Sequence, residues 1–136
     1  MPILDLTHPI EADMPVYPGT EGPGITQACS LERDGFAEKL IRIYSHTGTH
    51  MDAPSHLVEG GPDLDSFPIE TFQGQGICAD MSQIGEGEIE LAHLAPLAEG
   101  LAQADFLLLN TGWGQYWGTT TYFEQHPVLS LAAAQW

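Results

Sequence analysis

His46, His50, Asp52 and His56 fall within one eleven-residue string, HTGTHMDAPSH. Imidazole nitrogen and carboxylate oxygen together suit Zn²⁺, Mn²⁺ or Fe²⁺, and three protein ligands plus water form the pattern of a catalytic site with an open position. The spacing favours convergence. Gly48 lets the backbone turn sharply, Thr49 can anchor that turn through its hydroxyl, and His50 and Asp52 then come round to face the same point as His46. Pro54 stiffens the chain and sets where His56 emerges. A lone histidine is more often a surface or satisfied core residue than a ligand, and His8, His93 and His126 each read that way. Four potential ligands packed round one Gly-Thr turn read instead as a metal site.

The elements that must position these groups are short, because 15 Gly and 10 Pro interrupt the chain. Residues 38–45, EKLIRIYS, alternate with a period of two and predict a strand that delivers His46 at its end. Residues 1–6 predict an edge strand closed by Pro9, and residues 14–24, rich in Pro and Gly, predict a loop carrying Tyr17. Downstream, QGICAD at 75–80 predicts a short buried strand and residues 89–98 a helix. The apolar run at 106–109, followed by Asn110, Thr111 and Gly112, predicts a core strand buried on both faces. Ser130 is suited to cap a helix begun by LAAAQW. That helix stops at Trp136 without a Gly, basic or Pro stop signal, so the chain reads as cut within it. Strands interleaved with short helices predict one α/β domain over residues 1–136, with a mixed sheet whose strand order stays open.

Composition narrows the partners. Only Arg33, Lys39 and Arg42 oppose 19 acidic residues, for a formal charge of −16, which leaves no basic footprint for nucleic acid or for an anionic membrane surface. A 43% hydrophobic fraction with 16% charged residues is that of a chain that buries a core. The N-terminal segment carries Asp5, Glu11 and Asp13 and lacks the pattern of a signal peptide. Cys29 and Cys78 show no CxxC spacing, so neither a thiolate zinc site nor a disulfide framework is expected, and a reducing cytoplasm is the simplest compartment.

HTGTHMDAPSH also matches H-x-G-T-H-x-D-x-P-x-H, with seven fixed positions, and so resembles the metal-dependent cyclase family of bacterial kynurenine formamidases (arylformamidases) and isatin hydrolases. DLTHPI, MPVYPG, GGPDLDSFP, LLLNTGW and FEQHPVLS look like further landmarks of that family and extend the resemblance over essentially the whole chain. The resemblance implies a swivelling β/β/α domain, with His46, His50 and Asp52 as ligands of a first metal and Asp52 bridging to a second. It makes His56 the general acid/base and turns Tyr17 towards the substrate. It also implies homo-oligomers, dimers or tetramers. The family's remaining His and Glu ligands correspond to positions beyond Trp136, so the C-terminal part of the family domain is expected to be missing here.

The chemistry that fits is hydrolysis of an aryl formamide or cyclic amide by metal-activated water, with Zn or Mn as the expected ion. His56 is suited to move the proton, because an ordinary imidazole titrates near ~6.5. Trp113, Tyr116 and Trp117 are weaker candidates for stacking on a substrate and read first as packing residues. The alternative from another class is a non-catalytic metal-binding or assembly fragment that keeps the first ligand triad.

Overall fold

The computed structural model describes residues 3–136. The chain divides into two compact units, Met1–Leu64 and Asp65–Trp136, and every residue of the HTGTHMDAPSH string belongs to the first.

In the first unit, β1 (Gly24–Cys29) pairs antiparallel with β2 (Glu38–Arg42), Ile25 facing Ile41 and Gln27 facing Lys39, with an irregularity between Gln27 and Cys29. One helical turn, α1 (Leu31–Asp34), joins the strands. Its ends are chemically defined: Ser30 Oγ accepts the Arg33 N–H, and Gly35 closes the turn at φ 77°. Neither β1 nor α1 was legible in the sequence, since GITQAC does not alternate apolar with polar residues and a four-residue helix has no period to detect.

Two expectations in this unit are corrected. The strand predicted over 38–45 ends at Arg42, and all five of its residues are exposed. Beyond it the chain bends, and the Tyr44 carbonyl accepts from Thr47 Oγ1 at 2.7 Å in place of a ladder partner. In the predicted edge strand, residues 3–6 have no regular structure, and residues 1 and 2 lie outside the described residues. Asp5 explains the difference: its carboxylate accepts from Thr7 N at 2.9 Å and Thr7 Oγ1 at 2.6 Å. This local turn competes with an extended ladder. The Thr7 hydroxyl and amide hold the Asp5 carboxyl below its ordinary pKa.

The second unit is built on β3 (Gly76–Asp80) and β5 (Phe106–Asn110), which pair in parallel with Ala79 opposite Leu109. The crossover between them carries β4 (Glu88–Ile89), α2 (Leu91–Leu94) and α3 (Ala98–Leu101). β4 pairs in parallel with β6 (Val128–Leu129), and α4 (Leu131–Gln135) follows. The core gathers Ala79, Met81, Ile89, Leu94 and Ala133, with Leu107 and Leu109 packed against it.

The helix predicted over 89–98 is broken into pieces. Ile89 belongs to β4, and Glu90 with His93 forms a reciprocal capping box that starts α2 only at Leu91. Pro96, which lacks an amide hydrogen, then imposes a 3₁₀ turn over Ala95–Leu97 before α3 begins. The run at 106–109 is a strand, but Phe106 and Leu108 remain 36% and 43% exposed while Leu107 and Leu109 face the core. It therefore buries one face rather than two. Ser130 caps α4 as expected, its Oγ accepting the Ala133 N–H. The architecture is mixed α/β with short helices and small sheets, as the sequence implied.

Candidate metal centre

Four residues beyond the end of β2, His46 sits on a turn that three neighbours hold in place. Thr47 is buried and its hydroxyl donates to the Tyr44 carbonyl. Gly48 adopts φ 66°, a left-handed conformation that a Cβ disfavours. Such a Cβ would also stand 3.4 Å from Met14 Cε and 3.7 Å from Ile10 Cγ1, so the turn is packed from one side. Thr47, not Thr49, anchors the turn through its hydroxyl; Thr49 Oγ1 instead accepts the His8 amide at 3.4 Å.

This turn brings three lone-pair donors together. His46 Nδ1 lies 2.7 Å from Asp52 Oδ1 and 3.2 Å from His50 Nε2, and His50 Nε2 lies 3.3 Å from Asp52 Oδ1. The second ring nitrogen of His50 fixes its tautomer. Nδ1 is 2.8 Å from the Gly48 carbonyl oxygen, which can only accept, so Nδ1 carries the proton and Nε2 presents its lone pair to the cluster. A proton on His46 Nδ1 then satisfies Asp52 and His50.

A divalent cation fits the same three atoms. N and O ligands 2.0–2.2 Å from one ion stand about 3–3.5 Å from each other, and the observed separations fall within a few tenths of an ångström of that range. Two imidazoles and one carboxylate place one negative charge at the ion and suit Zn²⁺, Mn²⁺ or Fe²⁺. The three side chains are 39%, 32% and 57% exposed, so a fourth position is open to water or to a small molecule.

His56 stands beside this triad. Its ring centroid is 4.0 Å from that of His46, with the planes tilted by 40°. It occupies a 3₁₀ turn, Pro54–His56, in which Pro54 takes an early position, as its fixed φ favours. Tyr17 lies on a separate loop of the same unit; its carbonyl accepts from Thr20 N at 3.0 Å and Thr20 Oγ1 at 2.7 Å, and its ring is exposed. Thus His46, His50, Asp52 and His56 are brought together locally, and Tyr17 sits on the Pro-Gly loop of the same unit.

His93, Trp113 and Tyr116 have structural explanations. His93 Nδ1 accepts the Glu90 amide in the cap of α2. Trp113 is buried, donates from Nε1 to the Tyr122 carbonyl at 3.2 Å and packs on Tyr116 at 4.7 Å between centroids. Sequence reasoning missed Thr47, whose buried hydroxyl leaves no periodic trace, and the contact of Ser55 Oγ with Asp63 Oδ1 at 2.6 Å. The GGPDLD stretch was visible as a landmark but not as the partner of Ser55.

Comparison with known proteins gives the chain relatives and a fold neighbour. The chain is 27% identical over 122 residues to cyclase-like protein 2 of Oryza sativa subsp. japonica, covering 85% of this chain and 45% of that protein. It is 29% identical over 84 residues to a kynurenine formamidase of Salinibacter ruber, covering 60% of this chain and 40% of that protein. The chain therefore spans less than half the length of these relatives. Its fold resembles that of isatin hydrolase A from Labrenzia aggregata, solved with benzyl benzoate, with a TM-score of 0.78, 23% identity and coverage of 97% of this chain and 61% of that one. A family model described as "Putative cyclase" matches residues 4–136, and on that match the chain belongs to the cyclase family.

Proposed function

We propose that this chain carries the metal-binding and proton-transfer part of a divalent-metal-dependent hydrolase acting on an aryl formamide or cyclic amide. The observation that carries the reading is the convergence of His46 Nδ1, His50 Nε2 and Asp52 Oδ1 within 3.3 Å of one another, with the His56 ring alongside. Kinship with a kynurenine formamidase supports an aryl formamide as substrate class. His46, His50 and Asp52 would hold the ion, with Zn or Mn favoured by the donor set. When bound, such an ion polarises a carbonyl and lowers the pKa of water towards ~7.

The chain's own residues supply the rest. Gly48 orients His50 through its carbonyl, and Asp52 contributes the negative charge that retains a cation. His56 holds a proton at a ring nitrogen and delivers it to the departing amide nitrogen, the task for which imidazole is suited at neutral pH. Tyr17 offers an exposed aromatic face to an aryl group. Leu40, Ile41 and Tyr44, exposed along and just after β2, support a homo-oligomer, and two free cysteines support a reducing cytoplasm. Among the described residues no helix is long and apolar enough to cross a membrane.

A second reading, a non-catalytic metal-binding or assembly fragment, needs only the His46, His50 and Asp52 group. Elemental analysis after purification without chelators, combined with hydrolysis of N-formylkynurenine and isatin, separates the two. The hydrolase reading expects about one equivalent of metal and turnover, and His56→Ala should keep the metal while losing about 10²-fold or more in kcat. Metal without turnover supports the fragment, and absence of metal from the isolated protein overturns both.

A further inference from the structure

The turn that presents His56 is closed by a second segment seven residues downstream. Within residues 53–58, His56 N donates to the Ala53 carbonyl at 3.0 Å and Val58 N to the Pro54 carbonyl at 2.9 Å. The chain then doubles back: Gly61 N donates to the Val58 carbonyl at 2.9 Å, and Ser55 N donates to the Pro62 carbonyl at 3.3 Å. Gly61 is required for this approach, because a Cβ there would lie 2.9 Å from Pro54 C and Ser55 N. Asp63 completes the closure by accepting from Ser55 Oγ at 2.6 Å. An O–H donor on a carboxylate at this distance is a charge-assisted bond, the strongest class of side-chain hydrogen bond. Ser55 is covalently adjacent to His56, so fixing Ser55 from two sides fixes the backbone from which the His56 ring reaches His46.

We propose that Asp63 is a positioning residue which, through Ser55, holds the His56 turn in the orientation that sets its ring against the ligand triad. The proposal rests on the assignment of His56 to proton transfer for its functional consequence, but its structural content stands independently. A local hydrogen bond between Ser55 and its own turn would leave the direction of the turn free. The bond to Asp63, reinforced by the Gly61 approach, ties it to a segment on the other side of a hairpin. Geometric displacement of about an ångström at a reacting group costs up to about 10²-fold in rate.

The test compares the parent chain with Asp63→Ala, Ser55→Ala, the double variant and Asp63→Asn, all loaded with Zn²⁺. The ring resonances of His56 and the nuclear Overhauser effect between the His46 and His56 rings report position; zinc titration reports the triad; kcat and KM for an aryl formamide report function. Asp63→Ala and Ser55→Ala should each displace the His56 resonances and weaken the ring-to-ring effect. Zinc affinity should stay within about threefold of the parent, since no ligand is removed, and kcat should fall about tenfold with little change in KM. The double variant should be no worse than either single one, as expected when both changes remove the same bond. Asp63→Asn, whose carbonyl can still accept from Ser55, should recover most of the parental signal. Unchanged His56 resonances and an unchanged ring-to-ring effect in Asp63→Ala would overturn the proposal, as would additive losses in the double variant. Displacement of the ring in Asp63→Ala, together with full turnover by His56→Ala, would sustain the positioning role while refuting proton transfer by His56.

Discussion

The chemistry of this chain is decided by single atoms. Asp52 Oδ1 is the point that both imidazoles approach, at 2.7 Å from His46 and 3.3 Å from His50. Asp52→Asn keeps the shape but removes the negative charge and weakens the oxygen as a ligand. Zinc affinity should therefore fall by more than about 10²-fold, beyond the range typical of outer-shell substitutions, as measured by competition with a chromogenic chelator. A fall of less than tenfold would show that Asp52 is not a ligand. Gly48 tests the turn itself. At φ 66°, with Met14 Cε 3.4 Å from the position of a Cβ, Gly48→Ala should cost about 1–2 kcal/mol of stability, seen as a lower urea midpoint. The candidate ligand types were legible in the sequence because residue types are read off directly. The tautomer of His50 was not, because it depends on the Gly48 carbonyl approaching Nδ1 to 2.8 Å.

The elements act through their ends more than their lengths. α1 is a single turn, closed by Ser30, Asp34 and Gly35. Arg33 Nη2 lies 2.8 Å from Asp34 Oδ2, and the Ser30 amide donates to the same oxygen at 2.9 Å. The Arg33 guanidinium first, and the Ser30 amide second, hold the Asp34 carboxyl below its ordinary pKa. A lower pKa in the folded state means that the unfolded chain binds the proton more readily. The contribution of Asp34 to this turn is therefore complete above the unfolded value near ~3.9 and is lost as pH falls through the folded value. An NMR titration following the Asp34 carboxyl and the Ser30 amide should give a common midpoint below ~3.9, and a midpoint at or above that value would contradict the assignment. The same dependence on ends explains why the helix over 89–98 was misjudged. Its apolar spacing was real, but the Glu90 and His93 box and Pro96 divide it into β4, α2, a 3₁₀ turn and α3.

For the whole molecule, the two units differ in what holds them. The second has a clustered core of Ala79, Met81, Ile89, Leu94 and Ala133, whereas the buried residues around the ligand turn include Met14 and Thr47. A cation bound by His46, His50 and Asp52 should therefore stabilise the first unit most. At a free Zn²⁺ concentration 100 times Kd, the gain is about 2.7 kcal/mol. Amide exchange should slow across residues 44–63 on zinc loading, change little across residues 76–110, and revert with a chelator; equal protection of both segments would count against a site confined to the first unit. The charge of −16 favours approach of the cation at long range, so the apparent zinc affinity should also weaken as salt is added.

By itself the sequence offered the candidate ligand set, a class of ion suited to those donors and a charge balance that argues against a nucleic-acid partner. It could do so because His46, His50, Asp52 and His56 are bound into eleven consecutive residues, and because net charge does not depend on folding. Only the tertiary structure decided which hydroxyl anchors the turn, where β2 ends, that β5 shows one face to the core, and that Asp63 reaches Ser55. Each of these depends on a partner chosen by packing and by the saturation of hydrogen-bonding groups, and those choices are made only once the backbone has turned to bring donor and acceptor together.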